Sequence, residues 1–213
     1  MHHRFRGLTA VVTGAGRGLG LGCARALALE GAEVVLVSRT QPELDTAVAA
    51  IQQAGGQARA FACDVTDPVA VIKLFDGLTR CDVLINNAGG NTPQPFLDVD
   101  VATLDRLLTL NVRSMFLVAQ AAARVMARTG GGTIVHMSSQ MGHVGGPQRS
   151  VYCMTKHAIE GLTKAMAIDL APLGIRVNAV APTYIETPMT KPFLEDPAFR
   201  ADTVQRIPLG RIG

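Results

Sequence analysis

The sequence lacks the cysteine patterns that mark a metal site or a disulfide framework. Its four cysteines, Cys23, Cys63, Cys81 and Cys153, form no C-x-x-C pair and no cluster with histidine. They are therefore expected to be buried, reduced thiols in a reducing compartment, with no metal bound. Runs of lysine or arginine are also missing, and the net charge is only +3. That gives little support to nucleic acid or a membrane surface as a partner. No apolar run is long enough to span a bilayer, and the polar residues 1–6 contain no signal-peptide core. These absences lead to the expectation of a cytoplasmic protein. Tyrosine is scarce, with two in the chain, so a tyrosine in a patterned position is informative.

The composition, 48% hydrophobic and 17% charged over 213 residues, suits one domain spanning 1–213 with a large core. Short apolar runs at 8–12, 33–37, 57–62, 83–85, 133–137 and 175–181 read as six strands. Between them lie helix-like stretches at 21–29, 42–54, 69–78, 101–128 and 150–171. Asp67 before Pro68 reads as a helix cap. Alternating strands and helices without an internal linker predict a parallel sheet with helices on both faces, an α/β doubly wound fold of three layers.

The polar residues gather where the strands end. The first strand runs into Thr13-Gly14-Ala15-Gly16-Arg17-Gly18-Leu19-Gly20, with five glycines between Gly14 and Gly22. A strand, a glycine-rich turn and a helix can cradle a phosphate with backbone N–H groups. The spacing here is G-x-x-x-G-x-G. Ser38 and Arg39 follow the second strand, where an acid would favour NAD and an arginine accommodates a 2′-phosphate. Arg39, with Arg17, would make a cationic pocket favouring NADP(H) over NAD(H). Asp64 and Val65 follow the third strand. Asn87, Ala88 and Gly89 follow the fourth, where turn-prone residues fit a plain turn equally well. Asn111 lies inside the long helix, a locally unfavourable place for asparagine, where a kink, a held water or a solvated face are open alternatives.

Tyr152 and Lys156 stand four residues apart at the start of the last long helix, so they share a face. An ammonium that close to a phenol is expected to lower its pKa and make it a usable acid or base. Ser139 lies thirteen residues before Tyr152, with Ser138 as its neighbouring alternative.

Together TGAGRGLG at 13–20, NNAG at 86–89, Asn111, Ser139, YCMTK at 152–156 and the Ala181-Pro182 to Thr187 run resemble the short-chain dehydrogenase/reductase family, in its compact single-domain branch. The resemblance implies a Rossmann-like fold and hydride transfer between NADP(H) and a secondary alcohol or ketone. It implies that Tyr152 donates or takes the proton and that Lys156 keeps Tyr152 acidic and binds the nicotinamide ribose. Ser139 would hold the substrate oxygen, and Asn111 would hold a water that links Lys156 to solvent. Gly14, Arg17, Gly18, Leu19 and Gly20 would line the pyrophosphate, Ser38 and Arg39 the adenosine ribose, and Asp64 and Val65 the adenine. Asn87, Ala88, Gly89, Pro182, Ile185 and Thr187 would complete the cofactor site.

The same resemblance implies a homodimer or homotetramer and a small carbonyl or alcohol substrate: a sugar or polyol, a 3-oxoacyl thioester or another small ketone. Residues 140–149 and 189–206 are expected to shape its pocket. Two departures stand out. Pro182 is followed by Thr183 where many members have glycine, and the chain stops where relatives add a helix and a seventh strand. The alternative is an inactive NADP(H)-binding scaffold or regulator.

Overall fold

The structure is a computed structural model and describes residues 3–213; Met1 and His2 of the polar start lie outside the described residues. Six strands form one parallel sheet: β1 (Thr9–Thr13), β2 (Glu33–Ser38), β3 (Gln57–Ala62), β4 (Val83–Asn86), β5 (Gly132–Met137) and β6 (Ile175–Val180). Their spatial order is β3-β2-β1-β4-β5-β6. The chain builds outward from β1 in one direction, then returns to β1's other side with β4. The cleft at the carboxyl ends of β1 and β4 is where open sheets of this kind bind ligands.

The strands form where apolar, largely β-branched runs sit between turn residues. β1 and β4 are buried along their whole length, as the near-continuous hydrophobicity of TAVVT and VLIN requires. Edge strands β3 and β6 show part-exposed patterns instead. Alternate residues of the inner strands face opposite layers. Ala10, Val12, Val34, Leu36 and Ile85 pack against Ala24 and Ala28 of α1 (Gly18–Leu29) and Leu44 and Ile51 of α2 (Gln41–Gln53). Val11, Val35 and Leu84 pack against α3 (Pro68–Asp76) and α5 (Ser114–Thr129), and Met166 and Leu170 of α6 (Ser150–Leu170) join that core. Each fully buried Leu or Ile in these layers contributes about 1.5–3 kcal/mol.

The long helix expected over 101–128 is in fact interrupted. α4 (Val101–Leu108) and α5 are joined by a π-type turn, Thr109–Arg113, with Asn111 at its centre. Helix α3 begins as its sequence indicates: Asp67 accepts a hydrogen bond from the Val69 N–H. Two short helices, α7 (Lys191–Leu194) and α8 (Pro197–Gln205), follow β6. No helix among the described residues is long and apolar enough to cross a membrane.

Candidate active site

The glycine-rich turn leaves β1 and is fastened at both ends. Ala15 N–H donates to the Val37 carbonyl at 3.1 Å. The buried Thr13 hydroxyl accepts from the N–H groups of Asn87 (2.9 Å) and Ala88 (3.0 Å), and Asn87 Nδ2 donates to the Thr13 carbonyl at 2.9 Å. The end of β4 is therefore clamped to the turn. Glycine is required at two points for different reasons. Gly14 has φ +64° and a Cβ there would lie 2.8 Å from Asn87 Nδ2; a Cβ at Gly20 would collide with the Gly14 carbonyl.

Helix α1 opens behind Arg17, with no side chain capping its first N–H groups and no acid in its first turn. Those free donors and the helix dipole favour an anion. The turn borders a cavity of about 250 Å³. Gly14, Arg17, Gly18 and Leu19 line one side, Ser38, Arg39, Asp64 and Val65 the far end, and Asn87, Ala88, Gly89 and Thr187 the near end. These residues fit a dinucleotide: uncapped amides for a pyrophosphate, and Arg39 with Asp64 at the far end for its adenosine part.

Gly20, Tyr152, Lys156, Pro182 and Ile185 do not line it; Gly20 serves the packing of α1 on the turn, and the Pro182 carbonyl accepts from Gln140 N–H. Glu43, Thr40 and Met189 line it without having been expected. Glu43 matters most: Arg17 Nη1 lies 3.5 Å from its Oε1, so the cationic pair of Arg17 and Arg39 is in part neutralised. Only a fold that brings α2 over Gly16 reveals that contact. Burial works against ionising Asp64, yet two bonds from Thr66 and the charge of Arg39 outweigh it and hold its carboxyl below the usual range.

The catalytic end is built from four separated segments. Past the end of β5, Ser138 N–H donates to the Val180 carbonyl and Gln140 N–H to Pro182, so pairing with the β6 side continues. Residues alternate across that extended stretch. Ser139 faces a second, smaller cavity of about 90 Å³, whereas Ser138 turns inward and is buried. Tyr152 lines the same cavity, with Asn91, Gln140, Met141, Arg149, Thr183, Tyr184, Thr190 and Phe193. Met189 lines both cavities. His143 and Gln148 line neither.

Behind Tyr152, Lys156 is 4% exposed and donates to the Met137 carbonyl at 2.7 Å. A Cβ on Gly89 would lie 3.3 Å from Asn111 Oδ1 and 3.9 Å from Lys156 Nζ, so a residue without a side chain lets the two approach. Asn111 is fully buried. Its Oδ1 accepts from Gly90 N–H, and its Nδ2 donates to the Gly90 carbonyl and to Thr155 Oγ1. The side chain is thus a clamp between the β4 loop and α6, with its bonds made to protein.

The electrostatics also differ from the expectation that Lys156 draws the Tyr152 phenol down. Burial raises the phenol above its ordinary value, while Ser139 and Arg149 oppose that rise. The ammonium stands 5.6 Å from the ring centroid. Burial pushes Lys156 itself down to about 8, with Glu160 opposing. His136, fully buried, is pushed to about 4 by burial and by Lys156, again with Glu160 opposing. His136 Nε2, Ser138 Oγ and Glu160 Oε1 are buried without hydrogen-bond partners. Glu160 lies one turn beyond Lys156 and 3.3 Å from His143 Nε2. The only sequence signal for this group was the i, i+4 spacing of Lys156 and Glu160.

Residues 8–198 match the sequence model of a family described as short chain dehydrogenase. The chain is 42% identical to the L-xylulose reductase of Bos taurus over 99% of its own length and 85% of that protein. It is 37% identical to the 2-dehydro-3-deoxy-D-gluconate 5-dehydrogenase of Bacillus subtilis (strain 168), over 100% of its length and 85% of that protein. A solved structure, that of a gluconate 5-dehydrogenase from Burkholderia cenocepacia J2315 in complex with NADP and tartrate, superposes with a TM-score of 0.95 at 34% identity. It covers 100% of this chain and 85% of that one.

Proposed function

The chain belongs to the short-chain dehydrogenase/reductase family and is an NAD(P)-dependent oxidoreductase acting on CH–OH groups; we propose that it interconverts a ketone and a secondary alcohol on a sugar-like or polyol-like substrate, with NADP(H). The observation that carries the reading is that the two cavities share a lining residue. Tyr152 and Ser139 line the smaller one, the glycine turn lines the larger one, and Met189 belongs to both. A substrate carbonyl on Tyr152 and Ser139 would thereby face the mouth of the dinucleotide cavity.

The bound dinucleotide supplies or accepts the hydride. The residues of the chain do the rest. The raised phenol of Tyr152 is a proton donor at neutral pH, suited to protonating a developing alkoxide in reduction. Ser139 Oγ accepts from Met141 N–H at 3.2 Å, which orients its own proton toward the substrate oxygen. Lys156 carries the positive charge beneath the site, oriented by the Met137 carbonyl. Asn111 positions Gly90 and, through Thr155, the turn of α6 that carries Tyr152. Arg39, exposed at the far end of the larger cavity, supports NADP(H), as does the cofactor in the Burkholderia structure's name. The L-xylulose and gluconate relatives support a sugar-like substrate. We read 1–213 as one domain. Exposed Phe116 on α5 and Met154 and Ile168 on α6 support a homodimer or homotetramer.

The test is NADPH oxidation with L-xylulose and 5-keto-D-gluconate as oxidants, followed by absorbance. Turnover is expected, and Tyr152→Phe should lower kcat about 10³-fold while NADPH still binds. Full activity in Tyr152→Phe would remove Tyr152 from the chemistry. NADPH binding without turnover of any ketone or alcohol would favour the inactive scaffold.

A further inference from the structure

The proposed reaction leaves open whether the sugar-like substrate is neutral or acidic, and the smaller cavity carries information on that point. Arg149 is the only charged residue that lines it; no aspartate or glutamate does. Six arginines, Arg4, Arg17, Arg59, Arg80, Arg200 and Arg206, pair with a carboxylate; Arg149 is among those that do not, and unlike the other unpaired ones it lines the cavity of Tyr152. Arg149 pairs with none among the described residues, and its one hydrogen bond is a long 3.4 Å contact with the carbonyl of its neighbour Gln148.

Its position is nevertheless well defined. The guanidinium lies over the Phe193 ring, 5.4 Å from the centroid. Phe193 in turn packs on Phe199 at 6.3 Å, and Phe199 meets Tyr184 edge to face at 5.7 Å. Stacking of this kind strips water from one face of the cation and leaves its N–H fork free. The backbone is held too. Gln148 has φ +57°, the one left-handed residue other than glycine among those described, and its carbonyl accepts from Gln94 N–H at 3.1 Å. A local cost of this kind persists where the surroundings impose it. Arg149 occupies the N-cap position of α6, three residues before Tyr152, and both side chains line one cavity. Its charge also helps draw the buried phenol down.

We propose that Arg149 is a specificity residue that binds an anionic group of the substrate, so that the enzyme acts on a sugar acid or comparable hydroxy acid in preference to a neutral polyol. The inference rests on the oxidoreductase reading above. A planar guanidinium fork matches a carboxylate with two parallel N–H bonds, and it would also accept a phosphate. The small cavity favours the carboxylate. With the anion on Arg149, the carbon to be oxidised lies against Tyr152 and Ser139 farther along the same chain.

The experiment compares D-gluconate, D-sorbitol and D-sorbitol 6-phosphate, three six-carbon probes, as substrates with NADP⁺. The wild type should show a kcat/KM for gluconate at least about 10-fold above that for sorbitol. Arg149→Gln should raise the gluconate KM about 10- to 100-fold and leave the sorbitol KM within about threefold, while any change in the basicity of Tyr152 falls on the kcat of both alike; Arg149→Lys should restore part of the difference. A larger gain with sorbitol 6-phosphate would identify the anion as a phosphate. Equal use of gluconate and sorbitol, or an equal rise of both KM values in Arg149→Gln, overturns the inference and leaves the oxidoreductase reading intact. Thermal shift by gluconate in the presence of NADP⁺ gives a readout independent of turnover. A shift of the same size in wild type and Arg149→Gln also overturns it. If none of the probes is oxidised although gluconate gives an Arg149-dependent shift, the reaction reading fails and the anion site stands.

Discussion

The two ends of the cleft handle charge in opposite ways. At the nucleotide end the charges are at the surface: Arg17 and Arg39 are exposed, and the phosphate cradle is made of backbone N–H groups and glycine. At the catalytic end the charge is inside: Lys156 is 4% exposed, held by a main-chain carbonyl, with Glu160 and His136 as its charged and titratable neighbours. The contrast follows from what each end must do. A nucleotide brings its own negative charge, so the protein needs donors and hydrated cations, and little desolvation is spent in advance. A proton donor that must function at one point on a small substrate needs a preorganised field, and that requires burial. Burial shifts pKa values and salt screens it less.

The contrast can be probed at either end. After the loss of Tyr152 itself, the largest effect on binding or turnover is expected at the open one. Arg39→Ala should weaken NADPH about 10- to 100-fold in calorimetric titration and leave NADH nearly unchanged, since a single charge-assisted contact to the 2′-phosphate is lost. Glu43→Gln should act the other way and strengthen NADPH binding by a few-fold, because Arg17 is released from its 3.5 Å pair. A wild type that prefers NADH would mean that Glu43, and not Arg39, sets the character of that end.

A smaller effect is expected beneath Tyr152. Lys156 titrates near 8, so its charge is present below that pH, and reductase kcat/KM should fall as pH rises through it. Glu160 is the group that opposes the fall of the lysine pKa, and it also faces His143 and His136. Glu160→Gln should therefore move the alkaline limb toward lower pH and cost a few-fold in activity at pH 8. An unchanged pH profile would show that Glu160 does not tune Lys156. His143→Gln distinguishes a surface effect, since it removes the imidazole 3.3 Å from Glu160 and leaves Glu160 in place.

A last effect, absent from turnover at neutral pH, concerns stability alone. The His136 pKa falls from 6.5 to about 4 on folding, so the unfolded chain binds more protons between those values. Stability from this group is fully present above about 6.5 and is lost as pH falls toward 4. The loss is on the order of 3 kcal/mol. In His136→Asn the melting temperature should fall less steeply over that window. Parallel slopes in the two proteins would place the acid sensitivity elsewhere.

How much of this was legible in the sequence varied with the kind of interaction. The strand at 57–62 could be placed to the residue, because one apolar stretch between turn residues suffices. Gly14, Arg17, Ser38, Arg39, Asp64 and Asn87 could be named as lining the larger cavity because each lies at the carboxyl end of a strand or within four residues of it, and the strands are parallel. The break at Thr109–Arg113 was less legible: the apolar period runs through it, and only Asn111 hinted at it. Glu43 was not legible as a site residue, and Arg149 and Phe193 were legible only as members of the segments 140–149 and 189–206 expected to shape the substrate pocket. Glu43 sits on a helix of ordinary amphipathic pattern, and Arg149 reads as a loop arginine until Phe193 and Tyr152 are seen around it.

The sequence by itself determined the order of strands and helices, the glycine turn, the placement of polar residues at strand ends, and the pairing of Tyr152 with Lys156 on one helical turn. These depend on local backbone geometry and on periodicity, which a few consecutive residues specify. Only the tertiary structure decided which way the Tyr152 phenol is shifted, that Asn111 clamps Gly90 to α6, that Ser139 rather than Ser138 reaches the cavity, and that Arg149 enters it without a partner. Each of these depends on burial and on distances between segments far apart in the chain. Desolvation and unpaired charge are properties of an enclosed space, and the space exists only once those segments have packed.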